Sequence, residues 1–164
     1  MAITYEPIAT TTLGSAQADI TFSTIPATYT DLVIVYTLKA ASGSSDIYLR
    51  FNGSSASDYS NTILTGNGTA ASSTRFSSAT QIRFNNATDI LTTDGTMLIC
   101  NVNNYSNSDT FKTALYRIGL ASDATETGVG LWQSTSAITS VALTLASGNL
   151  GTGCTATLYG IKEA

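Results

Sequence analysis

Residues 46–60 read DIYLRFNGSSASDYS. The first half alternates. Ile47, Leu49 and Phe51 fall on one side of an extended chain, and Tyr48, Arg50 and Asn52 on the other. A period of two marks a strand with one buried face. Asn52-Gly53 follows, a pair that suits the two positive-φ positions of a type I′ turn and is a strong hairpin signal. The serines after it satisfy loop backbone by local hydrogen bonds. A calcium site needs about six to eight oxygens, usually with several carboxylates. Asp58 is the acid that follows the turn, Asp46 lies a strand length earlier, and the D-x-[DN]-x-[DN]-G spacing is absent. The stretch reads as strand and connection rather than metal site.

The same reading extends along the chain. In ADITFST (18–24) Ile20 and Phe22 share a face, and Pro26 then breaks the run. DLVIVYTLKA (31–40) is apolar on both faces, with Leu32, Ile34 and Tyr36 against Val33 and Val35, as expected of a central strand covered on both sides. A short strand is expected at Thr62–Thr65, followed by a long surface loop. QIRFNN (81–86) points Ile82 and Phe84 inward. TMLICNVN (96–103) and DTFKTALYRIGL (109–120) form a hairpin across the NNYSNSD turn. GVGLWQS, AITSVALTLA and GCTATLYGIK complete the series, with SGNLGTG joining the last two. A weak helix candidate lies within Gly119–Thr127. With about ten strands and turn signals between them, the expected fold is all-β: an antiparallel β-sandwich, jelly-roll-like, with a closed barrel as the other solution. Residues 18–164 make one domain. Residues 1–17 are too sparse in apolar anchors for a core strand, and Pro7 interrupts them. An extended arm that adds to a neighbour's sheet edge fits this pattern, and so does a frayed terminus.

Composition narrows the function. Charged residues are 11% of the chain, against roughly 25% in an ordinary soluble protein; hydroxyls supply the polarity instead. Such a surface suits lasting contact with neighbours, because charge is depleted at interface cores. The net charge is −4, and Lys39, Arg50, Arg75, Arg83, Lys112, Arg117 and Lys162 are scattered. No cluster exists to neutralise phosphates or to hold an anionic membrane, so neither nucleic acid nor membrane is expected as a partner. The N-terminus lacks a charged region followed by a long apolar run, so a secretory signal is not expected. Asn52-Gly-Ser, Asn67-Gly-Thr, Asn86-Ala-Thr and Asn104-Tyr-Ser match the glycosylation pattern, as chance allows in a chain rich in these residues. Cys100 and Cys154 each sit in an apolar run and read as reduced core residues.

The chain has no histidine, which removes the commonest general base and zinc ligand. Seven of its eight aspartates, Asp31, Asp46, Asp58, Asp89, Asp94, Asp109 and Asp123, sit mainly at turns, where aspartate is favoured for its local hydrogen bonding. A two-carboxylate glycosidase remains as the least favoured reading. No enzyme, cofactor or metal is expected. Tyr5, Tyr48, Arg50, Tyr59 and Trp132 are the candidate interface residues, since tyrosine, tryptophan and arginine are enriched where partners meet. Tyr48, Arg50, Asn52 and Tyr59 would also make a shallow sugar-binding surface. Trp132 reads first as a core or rim anchor, and second as an interface hot spot or a sugar platform.

Several local features recur in order: Ile25-Pro26 with Tyr29 and Asp31-Leu32, then Phe51-Asn52-Gly53 with Tyr59, then Ile138-Thr139, then Leu158-Tyr159-Gly160-Ile161. This series resembles small virion proteins and domains of tailed bacteriophages, particularly those of cyanobacteria and other aquatic hosts. It spans nearly the whole chain, although Ser54–Phe84 carries little of it. The resemblance implies a non-enzymatic β-sandwich virion component, assembled in the host cytoplasm. The expected function is that of a trimeric capsid cement or decoration protein that binds major capsid protein subunits. The alternative is a tail or head fibre module that binds a host glycan or receptor.

Overall fold

The computed structural model describes residues 5–86, 89–93, 95–120 and 123–162. Among these lie twelve strands: β1 (Tyr5–Thr12), β2 (Asp19–Phe22), β3 (Asp31–Leu38), β4 (Ile47–Phe51), β5 (Tyr59–Gly66), β6 (Ala71–Ala79), β7 (Ile82–Arg83), β8 (Thr96–Asn103), β9 (Lys112–Leu120), β10 (Ala124–Trp132), β11 (Val141–Leu145) and β12 (Thr155–Ile161). A large sheet runs β1-β12-β3-β8-β9-β10-β5-β6 and a small one β2-β11-β4-β7. Every pairing is antiparallel. The chain is an all-β sandwich whose inner faces share one hydrophobic core.

The alternation in 46–60 does what its period requires. Ile47, Leu49 and Phe51 are fully buried, while Tyr48 and Arg50 stay half-exposed. β3 is central, held between β12 and β8, and its Leu32, Ile34 and Tyr36 have no exposed surface. Val33 on its other face is buried too. Cys100 and Cys154 are free and buried.

Asn52 and Gly53 take φ of 52° and 66°, and the Ser54 amide donates to the Phe51 carbonyl at 2.9 Å. The turn is therefore tight and left-handed, as the Asn-Gly pair implies. It does not close a hairpin. β4 lies in the small sheet and β5 in the large one, so the chain turns here from one layer to the other. Asn52 holds the crossing. Its Oδ1 accepts the Thr139 and Ser140 amides at 2.8 and 3.1 Å, and its Nδ2 donates to the Ala137 carbonyl at 2.8 Å.

Two strands exceed the ten read from sequence. β1 occupies the expected arm and pairs with this chain's own β12, with a bulge between Pro7 and Ala9. An edge strand tolerates Pro7 because one side of its backbone has no ladder partner. β6 occupies the expected loop and pairs with β5 from Ala71 to Ala79. The helix candidate is instead the β9–β10 hairpin: Gly119 pairs with Thr125. Residues 1–4 of the expected arm, Ala87-Thr88 of one glycosylation match, Asp94, and residues 121–122 of the helix candidate lie outside the described residues.

Candidate functional site

β4 runs through the small sheet between β11 and β7, so both of its backbone edges are hydrogen-bonded. Its outward face is left to side chains. Register places Tyr48 opposite Arg83 on β7 and opposite Thr144 on β11, and Arg50 opposite Ala142. Two open clefts flank this row. One, of about 440 Å³, is lined by Tyr48, Arg50, Gln81, Thr144 and Ser147 among others. The second, of about 340 Å³, is lined by Tyr48, Gln81, Phe76, Asn61 and Arg83 among others. Tyr48 and Gln81 belong to both and form the ridge between them.

The two arginines beside this ridge differ. Arg83 is committed: its Nη2 meets Asp46 Oδ1 at 2.7 Å, its Nε donates to the Asn85 carbonyl at 2.6 Å, and its guanidinium lies 5.1 Å from the Phe76 ring centre. The Tyr48 hydroxyl donates to the other Asp46 oxygen at 3.5 Å. Burial is the main cause that raises the Tyr48 pKa, with the Asp46 charge adding to it. Arg50 has no ion pair among the described residues, and its Nε is buried without a hydrogen-bond partner. Sequence reasoning selected Tyr48 and Arg50, which the structure brings together. It missed Gln81 and Arg83, whose proximity comes from strand pairing rather than spacing.

Tyr59 and the interface reading of Trp132 are corrections; the core-anchor reading of Trp132 holds. Tyr59 is fully buried and Trp132 is 3% exposed, so neither presents a surface to a partner. Their rings stack at 6.1 Å and 15°, and Trp132 lies 5.8 Å from Phe51. The Trp132 indole donates to Asp58 at 3.0 Å. Large rings bury most area when packed on one another, and here they fill the core below the β4–β5 crossing. Asn52 is also lost as a sugar contact, since its side chain is engaged with Ala137–Ser140. Tyr5 is 53% exposed on β1 and meets Tyr159 edge-on at 6.4 Å.

Two buried charges escaped sequence reasoning. Glu126 accepts the Thr65 hydroxyl at 2.7 Å and the Asn86 amide at 3.0 Å. Lys112 donates to the Thr110 and Thr135 carbonyls at 2.6 and 3.1 Å. Burial lowers the Lys112 pKa, while the Asp109 charge works against it. Both side chains tie strands to neighbouring segments. Among the described residues no group of three His, Cys, Asp or Glu is placed to hold a metal ion.

A second surface is the outward face of the large sheet. Its register aligns Tyr159, Val33, Asn101, Leu115 and Val129 in one row across five strands. Leu64, Met97, Leu115 and Val129 are between 41% and 55% exposed. Arg75 and Arg117 are the charged residues of the three rows through Asn101, Ile99 and Met97.

No protein-family model matches the chain, and no curated protein matches it. Among solved structures it is similar to a Scytalido-glutamic peptidase with a peptide-based transition-state analogue, at 14% identity and a TM-score of 0.30, over 91% of this chain and 66% of that one. An alginate lyase solved with an alginate trisaccharide gives 7% identity and a TM-score of 0.35, over 93% and 80% of the two chains. A protein of unknown function from Shewanella oneidensis MR-1 gives 10% identity and 0.22, over 98% and 77%. The chain thus spans just under two thirds of the peptidase's length. At these TM-scores the likenesses carry no argument about what the chain does.

Proposed function

We propose that the chain is a non-enzymatic structural protein of a phage virion, a cement or decoration protein that binds major capsid protein subunits. The observation that carries this reading is the outward face of the large sheet. Exposed Leu64, Met97, Leu115 and Val129 lie there among threonines and small residues, with little charge. Eight strands at the usual spacings give a face of roughly 900 Å². One partner of a stable interface contributes about 800 Å². Large apolar side chains exposed together on one weakly charged face suit contact with a partner.

The strand order supports the jelly-roll reading. The small sheet is β2-β11-β4-β7, and the large sheet without its flanking β1 and β12 is β3-β8-β9-β10-β5-β6. These interleave as the two sheets of a jelly roll do, with the β8–β9–β10 meander standing where a single strand would be. Viral capsid domains use this architecture, and so do lectins. The phage assignment and the trimeric state rest on the resemblance of the sequence series. A glycan-binding fibre module is the second reading, favoured by the clefts beside Tyr48.

Binding to purified capsids of the phage that encodes the chain tests the proposal. Cement binding favours the assembled shell by mass action. Capsids lacking the protein are expected to take it up to saturation and to melt at a higher temperature. Capsids that neither bind it nor gain stability would overturn the reading.

A further inference from the structure

We infer that the cleft beside Tyr48 and Arg50 binds a carboxylate-bearing saccharide of the hexuronate type. This goes beyond a role in shell assembly and does not depend on it.

The inference starts from Arg50. An arginine Nε enclosed by protein without an acceptor is costly, and native structures rarely leave such a donor unpaired. Arg50 sits in that state, while its neighbour Arg83 has a carboxylate, a carbonyl and a ring as partners. Arg50 lines the larger cleft together with Thr144, Ser147 and Gln81; its Nε is enclosed, so its terminal Nη groups are what a ligand there would meet. A planar guanidinium matches a carboxylate in two parallel hydrogen bonds. The neighbouring hydroxyls and amide suit the alcohols of a sugar ring, and the Tyr48 ring offers an apolar platform between the clefts.

Volume and backbone chemistry choose the ligand class. About 440 and 340 Å³ fall within the range of roughly 300–1,000 Å³ of small-ligand sites. Two clefts sharing one ridge suit two linked rings. A peptide strand added to a sheet is held by the edge backbone, and β4 has none to offer because β11 and β7 already pair with it. A ligand here is read by side chains alone. That favours a compact, hydroxyl-rich anion over an extended peptide.

Titration of the uniformly ¹⁵N-labelled chain with tri-galacturonate, followed by amide chemical shifts, tests the inference. Maltotriose serves as the neutral sugar and tri-glutamate as the acidic peptide. Saturable shifts are expected around Tyr48, Gln81 and Thr144 with tri-galacturonate, and weak ones with the other two. Arg50→Gln is expected to weaken binding by about tenfold or more. It leaves the fold intact, since it removes a donor that has no partner, and its amide spectrum reports this directly. Arg50→Lys is expected to recover part of the affinity. Absence of saturable shifts overturns the inference. So does equal binding of maltotriose, binding of tri-glutamate as tight as that of the uronate, or a folded Arg50→Gln with unchanged affinity.

Discussion

Asn52 Oδ1 accepts the backbone amide of Thr139 at 2.8 Å, across 87 positions of sequence. Both residues belong to the series that carries the phage resemblance. Other members of that series meet in the same way. The Ile25 amide donates to the Thr139 carbonyl at 3.0 Å, and the Tyr29 ring covers Gly160, where any Cβ would collide with it. The recurring residues are joints of the scaffold. They fix how the chain crosses between layers.

The Asn52 joint has separable parts. Asn52→Gly keeps the left-handed turn and loses the side-chain bonds; Asn52→Ala loses both. Each hydrogen bond contributes about 1 kcal/mol, and a non-glycine residue in this conformation costs about 1–2 kcal/mol. Urea denaturation is expected to rank stability as wild type, then Asn52→Gly, then Asn52→Ala. A more stable Asn52→Ala than Asn52→Gly would contradict the role assigned to the turn.

The aromatic cluster gives a larger effect. Trp132→Ala empties space beside Tyr59 and Phe51 and is expected to cost about 3–5 kcal/mol. Tyr59→Phe leaves the Phe51 amide without the hydroxyl it meets at 3.1 Å and is expected to cost about 1–3 kcal/mol. If Trp132 were a partner contact instead, Trp132→Ala would leave the denaturation midpoint in place.

Alkaline pH is expected to unfold the chain. Burial raises the pKa of Tyr36, Tyr59, Tyr105 and Tyr116 above the ordinary 10.0 and pushes the Cys100 thiol from 9.0 up to about 12. A group with a raised folded pKa binds more protons in the native state. Its stabilising contribution is whole below the unfolded value and is lost as pH rises toward the folded one. Stability is therefore expected to fall from about pH 9 upward. Lys112, whose folded pKa is lowered, acts oppositely just below 10.5 and is outnumbered. Absorbance at 295 nm should show these tyrosines ionising together with loss of structure; early ionisation in a folded chain would contradict their burial.

Both thiols are buried in the core. They are expected to react with Ellman's reagent only after unfolding, and the melting temperature is expected to be the same with and without reductant. Rapid modification of either in native protein would place it at the surface.

The outward face of the large sheet is tested by charge. Leu115 and Val129 are paired neighbours there and both exposed. Leu115→Lys and Val129→Lys are expected to fold with stability changed by less than about 1 kcal/mol, and to lose capsid binding. Retained binding would move the interface elsewhere.

The sequence made most of the sandwich legible because each inner strand announces itself by alternation, as Ile47, Leu49 and Phe51 do. β6 was not legible. Both of its faces are largely solvated, so AASSTRFSSA carries no period of two and reads as loop; only its ladder to β5 makes it a strand. β1 was hidden by Pro7, which an edge position accommodates. The hairpin reading of Asn52-Gly53 found the right turn and the wrong partner, because a dipeptide fixes local φ and not the sheet that the next strand joins. Tyr48 and Arg50 were found by spacing. Tyr59 misled, and Trp132 kept an interface reading beside its core one, because an aromatic beside a loop looks the same in sequence whether it faces core or solvent. Gln81 and Arg83 needed the β4–β7 register.

The central claim concerns where the chain works. Cryo-electron microscopy of virions of the phage proposed to encode it is the direct measurement. The expected result is sandwich-shaped density repeated over the icosahedral lattice, grouped in threes, with the outward face of the large sheet against major capsid protein. Density confined to the tail or to one vertex, or a particle without the protein, would contradict it.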